Sequence, residues 1–140
     1  MASSKILVVE DNEGDVLLLR LALDEQREDY ELIVLADGEQ AIEFVQQQRL
    51  SQTPTEPCLI LLDLHLPKYD GLEVLRVIKR SPVLAHVHVI VFTTLASPQD
   101  EAEIRALGAQ FRIKPRELLD FSRLAADAIA ICNGLLSVTA

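Results

Sequence analysis

The chain has 140 residues, 49% hydrophobic and 25% charged, a balance that suits one folded domain and excludes a disordered segment. Lys and Arg number 13 against 22 Asp and Glu, so the net charge of −9 excludes the basic footprint of a nucleic-acid binder and leaves cations or basic protein surfaces as partners. The longest apolar runs, such as Ile6–Val9 and Cys58–Leu62, fall far short of the roughly 20 residues of a membrane span. Met1–Lys5 leads directly into a strand-like run, so no secretory signal and no membrane contact are expected.

Strand and helix signals alternate along the chain. Ile6–Val9 is a short β-branched run that suits a strand buried on both faces. Asn12 can cap a leucine-rich helix over Val16–Leu23, running to about Gln26. Glu31–Leu35 predicts a second strand, Asp37-Gly38 a turn and Glu39–Gln48 a second helix. Arg49–Pro57, with two prolines, reads as a surface loop. Cys58–Leu62 is the third strand, Leu66–Gly71 a loop and Leu72–Arg80 a helix offering Leu72, Leu75, Val77 and Ile78 to a core, stopped by Ser81-Pro82. Val87–Phe92 is the fourth strand, Pro98–Leu107 a helix closed by Gly108, and Gln110–Ile113 a short fifth strand. Glu117–Cys132 is the last helix, ended by Asn133-Gly134. Cys58 and Cys132 show neither CxxC nor zinc spacing and lie in apolar segments, so they are expected to be core thiols in a reducing cytosol rather than a disulfide.

Five such pairs predict an α/β fold, an open parallel sheet with helices on both faces. Ligands of these sheets sit beyond the carboxyl ends of the strands. The residues found there are Glu10 and Asp11, then Asp63, then Thr93 and Thr94, then Lys114 and Pro115. Three neighbouring carboxylates repel one another, a conflict that a hard divalent cation resolves. Lys114 and Thr93 add a cation and a hydroxyl donor for phosphoryl oxygens.

The acidic pair in LVVEDN, the Asp of LILLDLHLP, the following DG, the Thr of VIVFTT and the Lys-Pro of FRIKP resemble, in order, a receiver domain of two-component signalling. The resemblance spans about Lys5 to Cys132, and within the family LVVEDN-x-x-D, the long loop after the second helix and LPKYDG are most similar to stand-alone regulators that partner cyanobacterial phytochromes. It implies a CheY-like, flavodoxin-like doubly wound sheet in the order 2-1-3-4-5, with the receiver at 5–133 and a short tail at 134–140.

The resemblance also assigns roles. Asp63 is the expected phosphoacceptor. Glu10, Asp11, Asp63 and the backbone carbonyl of His65 are expected to hold Mg²⁺, with Mn²⁺ as an alternative; the His65 imidazole is not implicated. Thr93 and Lys114 bind the phosphoryl group, and Thr94 stands where the family more often has Ala or Ser. Phe111 occupies the aromatic switch position, often Tyr in the family, without its hydroxyl. Pro115 follows Lys114 across a bond that is commonly cis in the family, aiming the lysine. His65 and Leu95 flank the path of the hydrolytic water, and an apolar Leu95 predicts slow self-dephosphorylation. His86 and His88 fall at the opposite edge of the sheet.

No effector region is legible after the fifth helix, so the expected output is phosphorelay or a protein contact, with a sensor histidine kinase or phosphotransfer protein upstream. Leu118, Leu119, Phe121, Leu124, Ala128 and Ile131 make the last helix apolar over a wide arc, much of it core, and the excess, with Leu135 and Leu136, is expected to support a homodimer through the fourth helix, fifth strand and fifth helix. The role expected is that of a phosphoacceptor, not an enzyme. Three other classes fit less well. A dehalogenase-like aspartyl phosphatase would need an Asp where His65 stands. A phosphate-independent adaptor would not need Asp11, Asp63, Thr93 and Lys114 together. A flavin or nucleotide carrier would need a Gly- or Ser/Thr-rich loop in place of EDNEGD.

Overall fold

The computed structural model describes residues 4–135. Its elements follow in the order β1 (Ser4–Val9), α1 (Glu13–Glu25), β2 (Tyr30–Leu35), α2 (Gly38–Leu50), β3 (Leu59–Asp63), α3 (Gly71–Arg80), β4 (His88–Thr93), α4 (Pro98–Ala106), β5 (Gln110–Ile113) and α5 (Leu118–Cys132). The strands pair in parallel in the order β2-β1-β3-β4-β5, as expected.

The two-residue period of the strands divides the core between the two faces. Leu7 and Val9, Ile60 and Leu62, Val89 and Val91 pack with Ala41, Val45, Leu75, Ile78 and Ile104 of α2, α3 and α4. Ile6 and Val8, Leu59 and Leu61, Ile90 and Phe92 pack with Leu19 and Leu23 of α1 and with Phe121, Leu124 and Ala128 of α5. Every residue of β3 is buried, which explains its unbroken apolar run.

Capping sets the helix starts, all at the carboxyl end of the sheet. The side-chain oxygens of Asn12, Asp37, Asp70 and Ser97 accept from the N–H groups of Asp15, Gln40, Glu73 and Asp100 at 2.8–3.0 Å. The expected Asn12 cap starts α1 at Glu13, ahead of the leucine-rich stretch. At its other end α2 continues through Leu50 into the segment read as loop, because Gln48 is buried and its side chain accepts from the Thr55 N–H. Gly108, at φ 83°, closes α4 as predicted.

One expectation is corrected. Cys58 and Cys132 are not separate core thiols but are joined as a disulfide, with Cα atoms 5.1 Å apart. They are 74 residues apart in the chain, and only the packing of α5 across the sheet brings them together. Of the apolar tail, Leu135 is 79% exposed, and Leu136 lies outside the described residues. Among the described residues, no helix is long and apolar enough to cross a membrane.

Candidate functional site

Parallel pairing brings the expected residues to one end of the sheet. Asp63 is the last residue of β3 and lies opposite Phe92 of β4. Glu10 and Asp11 follow β1, and Glu10 is anchored by its N–H to the Leu35 carbonyl at 3.0 Å. Thr93 ends β4 opposite Ile113, so Lys114 emerges beside it, its own N–H donating to the Thr93 carbonyl at 3.0 Å.

The Lys114 ammonium lies among three carboxylates. Its Nζ is 2.7 Å from Glu10 Oε1, 3.0 Å from Asp15 Oδ2 and 3.0 Å from Asp63 Oδ2. Burial works to lower the Lys114 pKa, but the bonds to Glu10, Asp63 and Asp15 outweigh it and the net shift is upward, so the ammonium stays charged. Glu10 is raised too, which for a carboxylate favours the neutral form. Burial, reinforced by the neighbouring Asp63 charge and opposed by Lys114, pushes its pKa up to about 7.

Asp15 was not among the residues expected at the site. The signal for it is the last acid of LVVEDN-x-x-D: the Asn12 cap fixes the first turn of α1 and Asp15 reaches Lys114 from it. Asp11 makes a fourth carboxylate. Oxygens of Glu10, Asp11 and Asp63 lie within 4.8 Å of one another, with Asp11 exposed at the mouth. One ammonium cannot neutralise four acids, and this all-oxygen cluster, open on one side, fits a hard divalent cation.

Asp63 is 6% exposed and both of its oxygens are engaged. Oδ1 accepts from the His65 N–H and Oδ2 from Lys114, each at 3.0 Å. Thr93 is fully buried and does not face Asp63 with its proton. Its hydroxyl donates to the Leu95 carbonyl at 2.6 Å and accepts from the Leu95 N–H at 3.1 Å. Thr94 is exposed and makes no such pair. The same Leu95 carbonyl lies 2.9 Å from His65 Nε2, which must therefore carry the ring proton. His65 thus bridges the loops after β3 and β4 through its imidazole. Leu95 itself is 78% exposed, an apolar side chain at the rim. Phe111 is half-buried against the α2–α3–α4 face. His86 and His88 lie at the far end, His86 paired with Glu56.

The expected cis bond before Pro115 is corrected: among the described residues there is no cis peptide. Isomers of an X-Pro bond differ little in energy, and Lys114 reaches Asp63 across the trans bond.

The loop after β3 is held from beneath. A Cβ on Gly71 would come within 2.3 Å of the Asp63 carbonyl oxygen, so only glycine lets α3 start this close to Asp63. A Cβ on Gly38 would sit 2.1 Å from the Tyr69 carbonyl oxygen. Lys68, at φ 69°, pairs with Glu39 at 2.9 Å and Asp37 at 3.6 Å, seating the loop on the start of α2.

A titration follows from Glu10. Its folded pKa of about 7 lies above the ordinary 4.5, so the folded state binds the extra proton and is favoured at low pH. That contribution is lost as pH rises from about 4.5 through 7. In metal-free buffer, Glu10→Gln should flatten this fall in urea-unfolding stability between those pH values; an unchanged slope would assign it elsewhere.

The comparisons agree with this geometry. The response regulator receiver domain family matches residues 6–119. Response regulator Rcp1 of Synechocystis sp. is 46% identical over 95 residues, 68% of this chain and 65% of that relative, so the match spans just under two-thirds of its length. The crystal structure of the Mn²⁺-bound form of Rcp1 superposes with a TM-score of 0.81 at 36% identity, over 98% of this chain and 99% of that one. The phosphorylated cyanobacterial phytochrome response regulator RcpA gives 0.83 at 30% identity, over 99% and 100%. Sheet order, the acids at the strand ends and these matches place the chain in the response regulator receiver domain family.

Proposed function

We propose that this protein is a single-domain response regulator, with the receiver at 5–133, that accepts a phosphoryl group on Asp63 from a histidine kinase or phosphotransfer protein. The observation that carries the reading is the pairing of a buried acid with Lys114 inside an excess of carboxylates. The Asp63 carboxylate forms a P–O bond as the P–N bond of the donor phosphohistidine breaks and the imidazole leaves. Glu10, Asp11, Asp63 and the His65 carbonyl hold the metal. Bound Mg²⁺ or Mn²⁺ lowers the repulsion between the carboxylates and the incoming phosphoryl oxygens. That solved relatives are Mn²⁺-bound or phosphorylated supports both parts.

Phosphorylation displaces the bond from Lys114 to Asp63 Oδ2, and the ammonium pairs instead with a phosphoryl oxygen. Thr93 then gives up the Leu95 carbonyl for another phosphoryl oxygen, drawing the β4–α4 loop inward, and Phe111 follows the space released. The reading places the protein in the cytoplasm, where kinase and ATP are found, and makes its role switching rather than turnover of a substrate. A phytochrome is the upstream partner suggested by the cyanobacterial phytochrome response regulator RcpA. The output surface includes Ile113, Leu118 and Leu119, which are 57–70% exposed on β5 and the first turn of α5 and support homodimerisation there.

Intact mass after incubation with a small phosphodonor and Mg²⁺ should show one phosphate adduct, absent in Asp63→Asn and after chelation. An adduct persisting in Asp63→Asn would overturn the assignment. The exposed Leu95 side chain cannot orient a hydrolytic water, so Leu95→Glu should shorten the adduct lifetime several-fold; an equal lifetime refutes that role. Light scattering on the phosphorylated protein should give a dimer mass that Leu118→Asp reduces to a monomer, whereas a wild-type monomer mass would remove the dimer from the reading.

A further inference from the structure

We propose that Cys58 and Cys132 form a reversible dithiol–disulfide site that clips the last turn of α5 to the base of the strand carrying Asp63. The site lies at the opposite end of β3 from the acceptor. Its Cα separation of 5.1 Å falls inside the roughly 4.4–6.8 Å that a disulfide requires.

Both partners are held in place by their own backbone. The Cys58 N–H donates to the Lys5 carbonyl at 2.9 Å, which extends the β1–β3 ladder to this residue, and Pro57 before it is buried. Cys132 is the last residue of α5. Just beyond it, Gly134 at φ 73° donates to the Ile131 carbonyl at 3.0 Å, and Leu135 donates to the Ala130 carbonyl at 2.8 Å. That pair of bonds is a Schellman closure, which fixes the direction in which Cys132 leaves the helix. Two sulfurs carried on such anchored ends meet without rearrangement of either element.

Both cysteines are half-buried, so a small reagent reaches them although the apolar cluster backs them. The co-reactant is a low-molecular-weight disulfide, RSSR. One cysteine thiolate attacks it, forming a mixed disulfide and releasing RS⁻. The second attacks the protein-side sulfur, closing the Cys58–Cys132 bond and releasing another RS⁻. Two protein thiols are oxidised, one RSSR is reduced to two RSH, and an external dithiol reverses the exchange. Disulfides in reducing compartments are typically transient, which makes the pair responsive rather than permanent there.

The effect falls on α5. Its first half lies under the site, with Phe121 and Leu124 lining the same cleft as Asp63 and Lys114. Its last turn is tied across to the sheet by the sulfur bridge and frays when the bridge is open.

The full chain is treated with oxidised glutathione or with dithiothreitol, then denatured, alkylated with iodoacetamide and weighed intact. Expected are no alkyl groups on a monomer-mass oxidised chain and two on the reduced one. Hydrogen exchange of the amides at 130–134 should be at least several-fold slower in the oxidised form, with α2 unchanged. A Cys58→Ala/Cys132→Ala variant should match the reduced form and ignore the oxidant. Alkylation of both cysteines after oxidation, stable glutathione adducts, an intermolecular dimer, or identical exchange in the two forms would each overturn the proposal.

Discussion

A single ammonium shared by several carboxylates is the constraint on which the site rests. Lys114 stands within 3.0 Å of Glu10, Asp15 and Asp63, which come from three different places in the chain. Without it, Asp63 would be a buried anion beside like charges, a costly arrangement. With it, Asp63 keeps a counter-charge, yet the acids still outnumber the cation. Burial, with the Asp63 charge adding to it, makes Glu10 hold its proton up to about pH 7. The site is stable enough to fold and still short of positive charge, which is the condition a divalent metal relieves.

The lysine gets there through sheet geometry. Lys114 donates to the Thr93 carbonyl and so continues the β4–β5 ladder by one residue, past the last pair of Thr93 with Ile113. The same register puts the Thr93 side chain in the core. Its hydroxyl holds the Leu95 backbone from both directions, and His65 holds the same carbonyl from the other loop. Both oxygens of Asp63 are occupied as well. In the proposed function, phosphorylation of Asp63 would have these bonds to replace, and the loops after β3 and β4 are the parts they restrain. Gly71 and the Lys68 ion pairs seat the rest of the β3–α3 loop against Asp63 and the start of α2.

Much of this was legible in the residue order. Apolar runs of four or five residues between capped helices mark parallel strands, because such strands are buried on both faces and need no alternation. Once the strands are parallel, Glu10, Asp11, Asp63, Thr93 and Lys114 must share an edge. Element limits were less legible: α2 runs long because a buried Gln48 binds the following loop.

Residue order alone set the fold class and the edge where chemistry collects, since these depend on local period and on strand direction, and the family was read from the resemblance of its motifs. Only the tertiary structure decided which atoms meet. Asp15 joins the site because a capped turn points it at Lys114. The Thr93 hydroxyl rests on Leu95 instead of facing Asp63. Lys114 reaches its partner across a trans bond to Pro115. Cys58 and Cys132 pair because α5 ends over the start of β3. The ion pairs of Lys114 and the Cys58–Cys132 bond are set by distances between elements far apart in the chain, and such distances leave no mark on spacing or composition.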